Sequence, residues 1–397
     1  MIQVFNKVSS KKAMISVGFN SGSRLENISE YNYGISHVLE HCIFKGTPNR
    51  TAEEIMDQVE FLGGQINAFT SHEKVVYYIR VPEESIEEAM EIISDIVFNS
   101  TIPDEEFKKE IEVVKEEEVS RGDSIGSFLW QNFSKNFFKG YPSIPVIGYK
   151  DSIAAITPEE VRGFYKDFCG RENAVVSLTM NCSKKKAKDL MKKYFGKATG
   201  KIKRSYKFDC GYSDYDKVLE LTKAGISHTY CWVGHKSFES SHNDIYALKI
   251  LNKILGGGLD SRLVKEVREK RGLVYSISSS NNSFRESGCN IISFSTRDKN
   301  LNTILEIIDV ELKKITAHGV SDRELQKAKN MYRSSFYDFI EDPESINMFG
   351  ISNAMFKTRS LDEVISLINS VTVEDIKRVA NDIFVDEKMI MIVRGEE

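Results

Sequence analysis

The chain has 397 residues, 41% of them hydrophobic and 28% charged, with a formal net charge of −4. That length exceeds one ordinary hydrophobic core, so two domains are expected of a soluble globular chain. No run of about 18 apolar residues is present, which excludes an expected membrane span, and the slight acidic balance gives no reason to expect nucleic acid.

Taken in order, the chain opens on Met1-Ile-Gln-Val-Phe-Asn-Lys7, which has no basic head followed by an apolar core and does not read as a signal peptide. A strand-like run and turn follow over Ala13 to Gly22. The segment Gly34 to Gly46 reads as an apolar helix closed by Lys45-Gly46-Thr47-Pro48. Inside it lies His37-Val38-Leu39-Glu40-His41, His-x-x-Glu-His, the reverse of the common zinc-protease motif. On a helix His37 and His41 sit one turn apart on one face, a spacing that lets two imidazoles grip one zinc ion. Glu40 lies between them, within reach of a water at the metal.

Val76 to Val81 is strand-like and Glu84 to Ser100 helix-like. Pro103-Asp104 then starts an acidic helix that runs to about Ser120. A zinc site needs a third protein ligand, and this helix is its natural source. Glu110, Val113, Val114 and Glu117 follow one stripe, but Phe107, Ile111, Val114 and Glu118 form another, so periodicity leaves Glu116, Glu117 and Glu118 as alternatives. Pro158 to Asp167 and Lys184 to Phe195 read as helices around a strand at Ala174 to Met180.

The basic stretch from Lys201 to Tyr206 reads as a join, after which the pattern repeats. Thr229 to Gly234 is a second strand-like run, and Ile245 to Gly256 a second apolar helix ending in glycine. Registering Gly46 on Gly256 puts Ala247, Ile250 and Leu251 where His37, Glu40 and His41 stand, so the second half keeps the helix without its metal chemistry. No Lys-Ser/Thr follows Gly256-Gly257-Gly258, so a phosphate loop is not expected there. Cys42, Cys169, Cys182, Cys210, Cys231 and Cys289 are scattered with no CxxC and read as free thiols of a reducing, cytoplasmic compartment.

These motifs resemble those of the pitrilysin or insulysin-like zinc peptidases, most of all the small bacterial members similar to the mitochondrial processing peptidase beta subunit. The resemblance rests on Gly34-Ile-Ser-His-Val-Leu-Glu-His-Cys-Ile-Phe-Lys-Gly-Thr47 and Leu62-Gly-Gly-Gln-Ile-Asn-Ala-Phe-Thr-Ser71 in the first half. In the second half it rests on Ile254-Leu-Gly-Gly-Gly-Leu-Asp-Ser-Arg-Leu263 and Val267-Arg-Glu-Lys-Arg-Gly-Leu-Val-Tyr-Ser-Ile277.

The resemblance implies an α+β fold of two homologous domains, each a mixed sheet with helices packed on it. The expected division is a zinc-binding catalytic domain over residues 1–203 and a non-metal domain over 204–397. The family's distal Glu-x6-Glu pair falls on Glu110 and Glu117, which makes Glu117 the third zinc ligand and Glu110 its supporting neighbour. Glu40 becomes the general base, while Tyr275, with Arg268 nearby, helps stabilise the oxyanion from the second domain. Asn67, Ala68 and Phe69 match the segment that takes substrate as an added strand.

The implied function is a zinc-dependent endopeptidase cutting extended, unfolded peptides inside a clamshell chamber of two chains, a homodimer or a heterodimer. The alternative is a non-catalytic scaffold or partner subunit, which the intact His37, Glu40, His41 and Glu117 disfavour. Ser127 and Gln131 stand where the mitochondrial enzymes carry two acidic residues that read a substrate arginine, so a weak arginine preference is expected.

Overall fold

Apolar residues in the strand at Lys12–Phe19 do not alternate with polar ones, and the reason is that both faces of that strand are covered. Ala13, Ile15, Val17 and Phe19 point into the main core, while Met14, Ser16 and Gly18 face a helix from the far end of the chain. The computed structural model describes residues 1–28, 30–196, 206–208, 210–385 and 387–396.

The strands are β1 Ile2–Lys7, β2 Lys12–Phe19, β3 Gln65–Thr70, β4 Val75–Pro82, β5 Phe138–Gly140, β6 Ala174–Met180, β7 Cys210–Tyr212, β8 Val218–Lys223, β9 Thr229–Ser237, β10 Val274–Ser283, β11 Gly288–Thr296 and β12 Lys388–Gly395. Five of them make a sheet in the order β1-β6-β2-β4-β3 and five more a sheet in the order β10-β11-β9-β12-β8. Reading the second backwards gives the same design as the first. In each the outermost pair, β1 with β6 and β8 with β12, is parallel, and every other pair is antiparallel. The fold is therefore α+β and duplicated, as the repeat in the sequence suggests.

The first helices are α1 Ile35–Cys42, α2 Ala52–Phe61, α3 Ile86–Asn99, α4 Asp104–Asp123 and α5 Ile125–Phe137. The expected helix from Gly34 to Gly46 is only eight residues long as α1. Its continuation turns out through Gly46, whose φ of 146° a side chain would resist. Helix α4 runs three residues further than expected, and Val113 is exposed rather than facing the core. The buried stripe is Phe107, Ile111 and Val114.

The described residues form two compact units that are not continuous in sequence. The first takes Met1–Asn132, Gly140–Asp209 and Asp338–Thr358; the second takes Phe133–Lys139, Cys210–Tyr337 and Arg359–Glu397. The division expected at 203/204 falls outside the described residues.

Each unit borrows a piece from the other half of the chain, at matching places. Helix Pro343–Phe356 lies on the first sheet, where fully buried Asn347 donates to Met14 O, Ser177 O and Thr179 Oγ1 at 3.0–3.2 Å. Ile351 and Met355 of that helix fill the space a Cβ on Gly18 would need. In the second unit the end of α5 does the same to β9: a Cβ on Gly234 would come within 2.4 Å of the Phe133 ring. Overpacking there would cost about 1–3 kcal/mol. Among the described residues no helix is long and apolar enough to cross a membrane, and all six cysteines are unpaired with one another.

His235 on β9 is 1% exposed and rests edge-on against Phe384 at 5.1 Å. Burial pushes its imidazole down from 6.5 to about 4, with Lys388 adding to the effect and Asp309 opposing it. The folded value lies below the unfolded one, so the neutral ring's stability is complete above pH 6.5 and is lost as pH falls toward about 4. The expected result is that His235→Leu loses less of its urea resistance than wild type between pH 7 and pH 5. Equal losses in the two proteins would show that the His235 imidazole titrates alike in the folded and unfolded chain.

Candidate metal centre

Helix α1 owes its place to one apolar face. Ile35, Val38, Leu39 and Cys42 are at most 1% exposed, which turns His37, Glu40 and His41 toward the adjoining helix α4 and strand β3. His37 is buried and His41 half-buried, with ring centroids 4.9 Å apart. On α4, successive residues turn about 100°. Glu110 and Glu117 therefore lie beside the Phe107–Ile111–Val114 stripe, at the edge where the helix meets α1.

This brings together His37, His41 and Glu117, whose ligand atoms all lie within 4.8 Å of one another. Glu116 and Glu118 do not join them among the described residues. Glu117 Oε2 is 3.6 Å from His37 Nε2 and 3.5 Å from His41 Nε2. Those separations are long for hydrogen bonds. Two donors that share a tetrahedral zinc, each about 2.0–2.1 Å from it, stand about 3.3–3.4 Å apart. The three residues thus fit a shared ion better than they fit each other.

The surroundings prepare each donor. His41 Nδ1 meets Glu110 Oε2 at 3.2 Å, and Lys45 Nζ holds Glu110 Oε1 at 2.8 Å. A proton kept on Nδ1 leaves Nε2 as the free donor atom. Burial, reinforced by the neighbouring His41, pushes His37 down to about 4, so its ring is neutral at pH 7 as a metal ligand must be. Glu117 is ionised. Burial works against that, but His37 and Arg121 outweigh it and hold the carboxyl below its usual value. Arg121, one turn along α4, takes Glu117 Oε1 at 2.9 Å and so leaves Oε2 to face the imidazoles.

Glu40 is not part of the ligand set. Its Oε2 accepts from Thr70 Oγ1 at the end of β3, and burial raises its carboxyl above the ordinary range against the pull of that bond. Asn67, Ala68 and Phe69 lie on β3, which among the described residues pairs only with β4 and ends the sheet. Ala68 N–H is held by Asn67 Oδ1 at 2.8 Å.

Arg268 and Tyr275 lie in the second unit. Arg268 sits in a single π-helical turn, Val264–Glu269, and its guanidinium is 5.7 Å from the centre of the Tyr275 ring. Tyr275 is 86% exposed on the edge strand β10, so packing does not explain it.

The sequence reading missed Thr70, Lys45 and Arg121. Thr70 stood inside a segment singled out for other reasons. Arg121 is four residues after Glu117, which was a readable helical spacing.

A family model described as Insulinase (Peptidase family M16) matches residues 2–141, and one described as Peptidase M16 inactive domain matches residues 155–332. An uncharacterized zinc protease of Bacillus subtilis (strain 168) is 32% identical over 98% of this chain and 94% of its own length. The chain belongs to peptidase family M16. A second relative in this family, an uncharacterized zinc protease of Rickettsia felis, is 30% identical over 91% of this chain and 87% of its own.

Two crystal structures share the fold. A protease from Helicobacter pylori superposes with a TM-score of 0.87 at 24% identity, covering 98% of this chain and 96% of that one. A peptidase M16 inactive domain from Pseudomonas fluorescens gives 0.88 at 19% identity, covering 100% and 95%. The insulinase match contains His37, Glu40, His41, Glu110 and Glu117. The inactive-domain match contains Ala247, Ile250 and Leu251, their apolar counterparts.

Proposed function

We propose that this chain is a zinc-dependent endopeptidase of extended peptides. The observation that carries the reading is the convergence of His37 Nε2, His41 Nε2 and Glu117 Oε2 beside the half-buried Glu40, whose carboxyl lies above its ordinary range. His37, His41 and Glu117 would hold the ion, with Glu110 orienting His41 and Arg121 orienting Glu117. Bound zinc supplies Lewis-acid polarisation and a lowered pKa for water at neutral pH.

The chain's own groups do the rest. Glu40 takes a proton from the attacking water and returns it to the leaving amine nitrogen. Thr70 keeps that carboxylate turned toward the site. The open edge of β3 offers backbone groups at Asn67, Ala68 and Phe69 to an extended peptide, which fixes its register by strand addition. By the family resemblance, Tyr275 with Arg268 assists the developing oxyanion. The same resemblance supports a two-chain chamber that admits unfolded peptides.

The purified protein is expected to bind one zinc per chain and to lose activity with chelators. His41→Ala and Glu117→Ala are expected to lose zinc, and Glu118→Ala to keep it. Elemental analysis finding no metal in wild type supplied with zinc at neutral pH would falsify the reading.

Glu40→Gln is expected to keep zinc and peptide binding and lose cleavage, since an amide cannot take the proton. Thr70→Val is expected to lower kcat about tenfold, within the range for a misplaced acid–base group, with zinc affinity unchanged. Single-turnover kinetics beside a zinc titration separate the two effects, and unchanged kcat in either variant counts against the assignment.

Specificity and assembly can be tested together. Neutral Ser127 and Gln131 offer no partner for a guanidinium, so matched peptides with and without arginine near the scissile bond are expected to be cut at similar rates. Light scattering is expected to give a dimer. A strict arginine requirement refutes the specificity; full activity in a stable monomer, or digestion of a folded globular protein, refutes the chamber.

A further inference from the structure

Helix α1 carries three of the four site residues and has no cap of its own. Its N-cap is Gly34, with φ of 96°, and no side chain there accepts a hydrogen bond. A helix start exposes backbone N–H groups that have no partner inside the helix, and leaving them bare in a buried setting is costly. The acceptor comes from outside the helix. Glu26 Oε2 takes the Gly34 N–H at 2.9 Å and Glu26 Oε1 takes the Ser36 N–H at 2.8 Å. The side chain is 2% exposed, so water does not share the task.

Glu26 is in turn held firmly. Its own N–H bonds Ser23 O at 3.0 Å. The short turn Ser23–Leu25 is tied to the β3–β4 connection by Ser23 N–H to Ser71 O at 3.1 Å and Arg24 N–H to His72 O at 3.0 Å. Gly22 permits that approach, because a Cβ there would lie 2.4 Å from Lys74 N and Ser71 O. Ser71 directly follows Thr70, the residue that holds Glu40. The same hairpin therefore anchors both the acceptor at the start of α1 and the hydroxyl at its catalytic carboxylate.

We propose that Glu26 is a positioning residue of the metal centre, one that sets the start and rotation of α1 so that His37, Glu40 and His41 present their atoms together. The apolar face of α1 fixes where the helix lies. It fixes rotation less well, since a slip by one residue turns every side chain about 100°. A carboxylate that grips two amides two residues apart opposes that slip. The inference rests on the zinc-peptidase reading and extends it to a residue that touches neither metal nor substrate.

Glu26→Gln keeps the shape but offers one acceptor and one donor, so one amide hydrogen would face an NH2 group. Glu26→Asp keeps both carboxyl oxygens but draws them back by one methylene, out of reach of the two amides. Zinc affinity, measured by chelator competition, and kcat and KM for a peptide substrate are compared with wild type at a temperature where each protein is folded by circular dichroism. Both variants are expected to bind zinc about ten- to a hundredfold more weakly, the range seen when the support of a metal ligand is removed, and to lose kcat with little change in KM. A folded variant with wild-type zinc affinity and kcat overturns the proposal, even if it melts earlier. Failure of both variants to fold with zinc supplied also overturns it, in favour of a general structural role. Wild type that takes up no zinc would instead refute the zinc reading itself.

Discussion

An eight-residue helix cannot hold itself in place, and two of the three members of the candidate metal centre are mounted on one. Everything near α1 serves to fix it. Its apolar face is buried against the first core, Glu26 takes its starting amides, and Thr70 meets Glu40 near its end. The precision matters because the ligand atoms must converge without satisfying each other. His37, His41 and Glu117 stand at ion-sharing distances, and two of them are steadied from behind by groups that do not enter the site, His41 by Glu110 and Glu117 by Arg121.

Burial carries most of the electrostatics. It keeps His37 neutral and raises Glu40. Glu117 escapes the same fate because positive charge favours its ionised form, from His37 when that ring is protonated and from Arg121 at every working pH. One helix interface thus holds a neutral imidazole, an ionised carboxylate and a carboxyl kept above its ordinary range. The arrangement separates roles that three identical environments would have merged.

Duplication supplies the rest of the architecture. Both units build the same five-stranded sheet, and each covers its outer face with a helix from the other half of the chain, seated over Gly18 in one and Gly234 in the other. The exchange explains why β2 after its first residue and all of β6 are buried without alternation, and why no single cut in the sequence separates the units. Among the described residues only the first unit carries a candidate metal set. The matching helix in the second offers Ala247, Ile250 and Leu251, all buried, so the position has been given over to packing.

The His37–His41 spacing, the position of Glu40 and the repeat that relates Gly46 to Gly256 were legible in the sequence, because helical periodicity is a local property. So were Ala174–Met180, Lys184–Phe195 and Ile245–Gly256, found with the bounds expected of them. Periodicity could not choose among Glu116, Glu117 and Glu118, and it put Val113 on the wrong face. The choice depends on the angle at which α4 meets α1, which the Phe107–Ile111–Val114 stripe fixes only once its neighbours are in place. Glu26, Thr70 and Asn347 were silent for the same reason. A lone polar residue carries no periodic signal, and its role is set by backbone or side-chain groups 8 to 333 positions away that only the folded chain brings within hydrogen-bond reach.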